Sequence, residues 1–146
     1  MLAKLEPCGL RLGTVKSLIE VDLKMINNYI FKKQVGNRGV YLELVFEANV
    51  LNRSGNNINI EYLADAKWEI MCKAGILIFH DFFARKIKGD LDVRVYEIKW
   101  LPVDTNNLLV MYACVNALSE ALNVPIKGLA FDVDNETFHF PELRSR

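Results

Sequence analysis

Alternation of apolar and polar positions is the clearest signal along the chain. From Val15 to Met25, the residues Val15, Ser17, Ile19, Val21, Leu23 and Met25 alternate with Lys16, Glu20, Asp22 and Lys24, the period of two that a half-buried strand requires. Asn27-Asn28 offers a turn, and a second strand is expected through Tyr29–Val35. A third covers Val40–Val50, with Leu42, Leu44, Phe46 and Ala48 on one face and Glu43, Val45 and Glu47 on the other. The joint between them is Gly36–Gly39, where glycine supplies the positive φ of a tight reversal. Leu51–Asn57 is a loop by composition.

The period then lengthens. Asn59 is a candidate helix cap, followed by Leu63, Ala66, Ile70, Met71 and Ala74 at helical spacing, and Gly75 is the expected stop. Residues 76–90 are ambiguous, after which Leu91–Val95 alternates again as a strand. Asp104 or Thr105 is expected to cap a second helix with an apolar stripe of Leu108, Met111, Tyr112, Val115, Leu118 and Leu122. Ala113, Ala117 and Ala121 form a small-residue strip beside it, suited to close approach of another helix or a sheet. Two short strands around Asp134 and Asn135 finish the chain. The order β-β-β-α-β-α-β-β predicts an α+β fold: a two-layer sandwich with helices on one face of a mainly antiparallel sheet.

At 146 residues the chain has the length of a single domain with a real core. Half the residues are apolar (51%), and 18 basic residues balance 18 acidic ones, which excludes disorder and makes any attraction to nucleic acid a matter of a local patch. The apolar runs are shorter than the roughly 20 residues of a membrane span, and Met1–Gly13 lacks the apolar stretch of a signal peptide. A soluble, cytoplasmic protein without a membrane partner is expected. Cys8, Cys72 and Cys114 are too widely spaced for a zinc motif and odd in number, so they read as reduced and buried. No metal or other cofactor is indicated.

The stretch Phe31–Leu44 asks for more than a hairpin, because Lys32, Lys33 and Arg38 surround a turn that Asn-Gly alone would satisfy. Phe31, Lys33, Gln34, Gly36, Arg38, Gly39 and Tyr41 fit without a gap a pattern of the fourth domain of translational elongation factor G, which this chain resembles. Glu61-Tyr62-Leu63 and Gly75-Ile76-Leu77 resemble the opening and closing of that family's next helix. Asp92, Val95, Tyr96, Trp100, Val103, Asp104 and Thr105 resemble its following strand and turn, with Trp100 for another aromatic and Thr105 for serine. The likeness spans about residues 28–123. Leu101, followed by Pro102, stands where the family has its tip histidine. The phosphate-cradling loop of a GTPase is absent from the sequence.

The resemblance implies that the glycine-rich turn and the turn before the second helix lie together, with Asn37 and Arg38 near Trp100 and Leu101. An arginine that can grip phosphate beside an indole that can stack a base suits structured RNA. The implied reading is a non-catalytic ribosome- or RNA-contacting module using Lys33, Asn37, Arg38 and Trp100, with Arg85, Lys86 and Lys88 as a second basic segment. The same residues also read as a hairpin turn, a packed aromatic and solvated lysines. A protein-interaction domain that kept the fold without the RNA role is the alternative. A small enzyme using Asp132, Asp134 and His139 is a third reading, against which Asp132 and Asp134 serve simply as turn residues. His80 beside Asp81 is a lone pair, and Cys114 and Ser119 have no base nearby in sequence.

Overall fold

The computed structural model describes residues 26–35, 38–51, 54–132, 135 and 137–140. The element order is β1 (Asn27–Val35), β2 (Arg38–Val50), β3 (Ile58–Tyr62), a 3-10 turn (Ala66–Trp68), α1 (Glu69–Lys86), β4 (Leu91–Trp100), α2 (Asn107–Leu122), β5 (Ala130–Asp132) and β6 (Thr137–His139). The main sheet has the order β1-β2-β4-β3. β1 and β4 flank β2 antiparallel, whereas β3 pairs parallel with β4. The α+β sandwich expected from the pattern is the fold observed: four strands with both helices packed on one face.

β2 follows its alternation closely, burying Leu42, Leu44 and Phe46, and β4 does the same with Leu91, Val93, Val95 and Ile98. A register shift between Val45 and Phe46 carries the pairing from Glu97 to Val95, which leaves both Tyr96 and Glu97 off the core face. α1 buries Cys72, Ile76, Phe79 and Phe83, steps of four, three and four residues that keep one stripe on the core. Each fully buried isoleucine or phenylalanine of this stripe contributes about 1.5–3 kcal/mol of transfer free energy. Arg85 and Lys86 close its last turn, where cations oppose the negative end of the helix dipole. α2 is buried on more than one side, because it packs on the sheet and on α1. The β5–β6 hairpin closes the core beside β1, with Phe131 edge-on to Phe31 at 5.5 Å and Phe138 against Tyr112 at 5.1 Å.

Several local expectations are corrected. The Val15–Met25 strand lies outside the described residues, so the observed third strand is Ile58–Tyr62, in the place where Asn59 was expected to cap a helix and Glu61-Tyr62 to open it. Its five residues alternate in burial because only one face meets the helices. Gly75 does not stop α1: a Cβ there would lie 2.6 Å from the Met111 carbonyl oxygen and 2.9 Å from Cys114 Cβ, so glycine marks the closest approach of α1 and α2. The residue capping α2 is Asn106, whose Oδ1 accepts the Leu109 N–H at 2.9 Å, while Thr105 is buried just before it. The expected stripe of α2 is out of phase at its start, where Leu108 is exposed and Leu109 and Val110 are buried. Asn123, at φ 57°, ends the helix in the left-handed conformation.

Candidate functional site

The site begins where the β1–β2 hairpin meets the turn between β4 and α2. Tyr41 donates its N–H to the Asp104 carbonyl at 3.1 Å, and the Thr105 hydroxyl donates to the Tyr41 carbonyl at 2.6 Å. The same hydroxyl accepts the Leu101 N–H at 3.0 Å, so one buried threonine couples hairpin and turn. Gly39 completes the contact, since a Cβ at this position would stand 3.1 Å from Asp104 Oδ2. The two turns therefore lie at one end of the molecule. Leu42 is opposite Trp100 in the ladder, so the backbone of Arg38, four residues further along, reaches about 13 Å beyond Trp100.

Trp100 is half-buried and edge-on to the buried Trp68, with ring centres 5.3 Å apart. Its indole N–H donates to Asp65 Oδ2 at 3.2 Å, and Asp65 Oδ1 accepts the Lys67 N–H at 2.9 Å. Tyr62 donates its hydroxyl to the Asp65 carbonyl, which ties the end of β3 to the same cluster. The Lys67 ammonium sits 5.1 Å from the Trp68 ring centre and 5.3 Å from that of Trp100. Each such exposed cation–π contact contributes about 0.5–1 kcal/mol. Trp68 is only 3% exposed, and among the described residues its indole N–H has no acceptor. Such a group costs about 1–3 kcal/mol while unpaired. A recess of about 550 Å3 opens here, lined by Lys67, Trp68, Trp100, Pro102, Thr105 and the Asn106–Asn107 start of α2.

The basic residues expected from sequence separate into groups. Lys32 and Lys33 are both exposed on β1, with Lys33 Nζ 5.9 Å from the Phe31 ring centre and both lysines lining a second recess of about 480 Å3 along the β1 edge. Arg38 opens β2 at the hairpin end, and Asn37 lies outside the described residues. Arg85, Lys86 and Lys88 are elsewhere. α1 starts beside Trp68 and its 18 residues carry its last turn about 27 Å away, toward the start of β4 rather than its Trp100 end. There Arg85 pairs with Asp81 at 3.4 Å and Lys86 donates to the Pro125 carbonyl at 3.0 Å, so this segment lies apart from the tip. Lys67 and Trp68 were missed in the sequence, although Asp65 two residues before Lys67 is the signal of a capping turn.

The uncovered face of the sheet is a poor anion surface. It carries carboxylates, three of them engaged locally: Arg94 Nε meets Glu61 at 2.7 Å, Tyr96 donates to Glu47 at 2.7 Å, and Tyr41 donates to Glu43 at 3.0 Å. The Tyr41 bond, with a second from the Asn28 side chain, holds the Glu43 carboxyl below its ordinary range. For the enzyme reading, Asp132 accepts from the Asn135 backbone and side-chain amides at 3.2 and 2.8 Å, which is turn chemistry. His139 is exposed on β6, and Asp134 lies outside the described residues. Among the described residues no group of three or more His, Cys, Asp or Glu side chains is placed to hold a metal.

No known protein family matches the chain, and neither does any curated protein. Its fold is similar to part of a crystal structure from Thermus thermophilus, with a TM-score of 0.51 and 17% sequence identity over 64% of this chain. The match covers 15% of that protein, so the chain corresponds to a small part of its structural neighbour. At that identity the likeness is one of fold. No helix among the described residues is long and apolar enough to cross a membrane.

Proposed function

We infer that the chain is a non-catalytic RNA-contacting module, of the kind its resemblance to the fourth domain of elongation factor G implies, with the ribosome or another structured RNA as partner. The observation that carries this reading is the meeting of the Arg38-bearing hairpin with the Trp100 turn through Thr105 and Tyr41. It gathers an arginine at the protruding end, an indole and the Lys67 ammonium at one end of a chain with no net charge. Cations and a flat aromatic surface are what phosphates and splayed bases require.

The test is co-sedimentation with small ribosomal subunits at low and moderate salt, comparing the wild type with an Arg38→Ala, Lys67→Ala double variant. Salt-sensitive binding that is lost in the variant is the expected result. A folded wild-type protein that stays in the supernatant at low salt sinks the ribosomal form of the reading. One observation favours a second reading, a protein partner: Val103 is 83% exposed and Leu108 54% exposed at the same end. Binding that persists or strengthens with salt, and is lost on Val103→Asp, would favour that partner.

A further inference from the structure

The recess beside Trp100 has a chemistry separate from that of the protruding hairpin. Lys67 lies over both indoles, in the place a ligand cation would take. Among the described residues its ammonium makes no ion pair. The nearby Asp65 carboxylate is engaged at both oxygens, by the Lys67 N–H and the Trp100 indole. The complement to this site is therefore an anion joined to a flat ring, and not a second cation.

α2 adds donors. Asn106 Oδ1 takes the Leu109 N–H, which leaves the N–H groups of Asn107 and Leu108 outside the helix ladder at the positive end of its dipole. Trp68 lines the recess with its ring, while its indole N–H is shielded from solvent and has no acceptor among the described residues. The recess, at about 550 Å3, falls within the size range of small-ligand sites.

We propose that this recess is a subsite for one unpaired nucleotide of single-stranded RNA, with the base against Trp100 and the phosphate on Lys67 and the start of α2. The proposal deepens the RNA-contacting reading and rests on it. The exposed side-chain amides of Asn106 and Asn107 border the same space and can meet a base edge. Stacking on an aromatic accepts any base, so binding is tolerant of sequence and sensitive to salt.

The chain has two tryptophans, Trp68 and Trp100, and both line the recess. Indole fluorescence therefore reports on this site directly. The full chain is titrated with a uridine octanucleotide at low salt while its fluorescence is followed, and binding of a labelled RNA hairpin is measured separately by anisotropy. Saturable quenching is expected, with Kd raised about tenfold by Lys67→Ala and largely restored by Lys67→Arg. Lys67 is exposed, so these variants keep the fold. Quenching unaltered in Lys67→Ala overturns the subsite. So does hairpin binding without oligonucleotide quenching, which leaves the proposed function standing. Failure of both RNAs to bind overturns the two together.

Discussion

The Thr105 hydroxyl reaches the Tyr41 carbonyl at 2.6 Å while accepting the Leu101 N–H, and so holds the β1–β2 hairpin to the turn before α2. Valine has nearly the same shape and can make neither bond. Thr105→Val is expected to lower unfolding free energy by about 1 kcal/mol, because two part-buried backbone groups lose a partner. Thr105→Ser should stay closer to wild type. Urea unfolding checks both, and a Thr105→Val protein as stable as wild type would remove this bond from the account of the site.

Gly75→Ala should destabilise the protein even though alanine is the better helix former. The added methyl meets the Met111 backbone and Cys114 Cβ at distances that require α1 and α2 to move apart. Overpacking of this kind costs about 1–3 kcal/mol, against a helix-propensity gain of about 1 kcal/mol for alanine over glycine. Thermal unfolding decides the sign: a Tm at or above wild type would mean that the helices separate without loss.

That glycine also shows where the sequence stops being legible. β2 was readable because a period of two with one buried face leaves a direct trace, as was the two-layer arrangement it implies. Gly75 in isolation is a stop signal, and only the opposing Met111 and Cys114, far along the chain, reveal that it lies at a helix crossing. β3 was hidden because Ile58–Tyr62 is short and its Asn59 also suits a cap; Asn59 Nδ2 instead donates to Asp92 Oδ1 at 2.8 Å. At the site, Trp100 was legible as a strand end beside a turn. Lys67 was not, since its role depends on two tryptophans brought together by tertiary packing. Arg85–Lys88 shows the reverse, since density in sequence does not tell at which end of a helix the charge will lie.

The thiols of Cys72 and Cys114 stand 3.2 Å apart between α1 and α2, both buried and free. The hydrogen bond that the Cys114 S–H donates to Cys72, together with burial, pushes the Cys114 thiol well above its ordinary range, which suppresses the nucleophilic thiolate. In a Cys8→Ser background, the folded protein should react with a thiol-specific chromogenic reagent only as fast as it opens. Two thiols should titrate promptly in urea. Prompt labelling under native conditions would contradict the burial of the pair.

His80 should make stability depend on pH below neutrality. Its Nε2 is buried without a hydrogen-bond partner among the described residues, and the ring stacks on Phe83 at 6.4 Å. Desolvation lowers its pKa, with Asp81 opposing the shift in part. The unfolded histidine takes up a proton near pH 6.5, whereas folded His80 stays neutral to lower pH. Over that interval the unfolded state binds more protons, so stability is full above about pH 6.5 and falls as pH drops toward the folded pKa, where the loss levels off. His80→Phe keeps a stacked ring and removes the titration. Between about pH 7.5 and 5 the wild type should therefore lose more Tm than His80→Phe, while carboxylate effects common to both cancel in the difference. Parallel Tm curves for the two proteins would show that His80 takes up its proton as readily folded as unfolded.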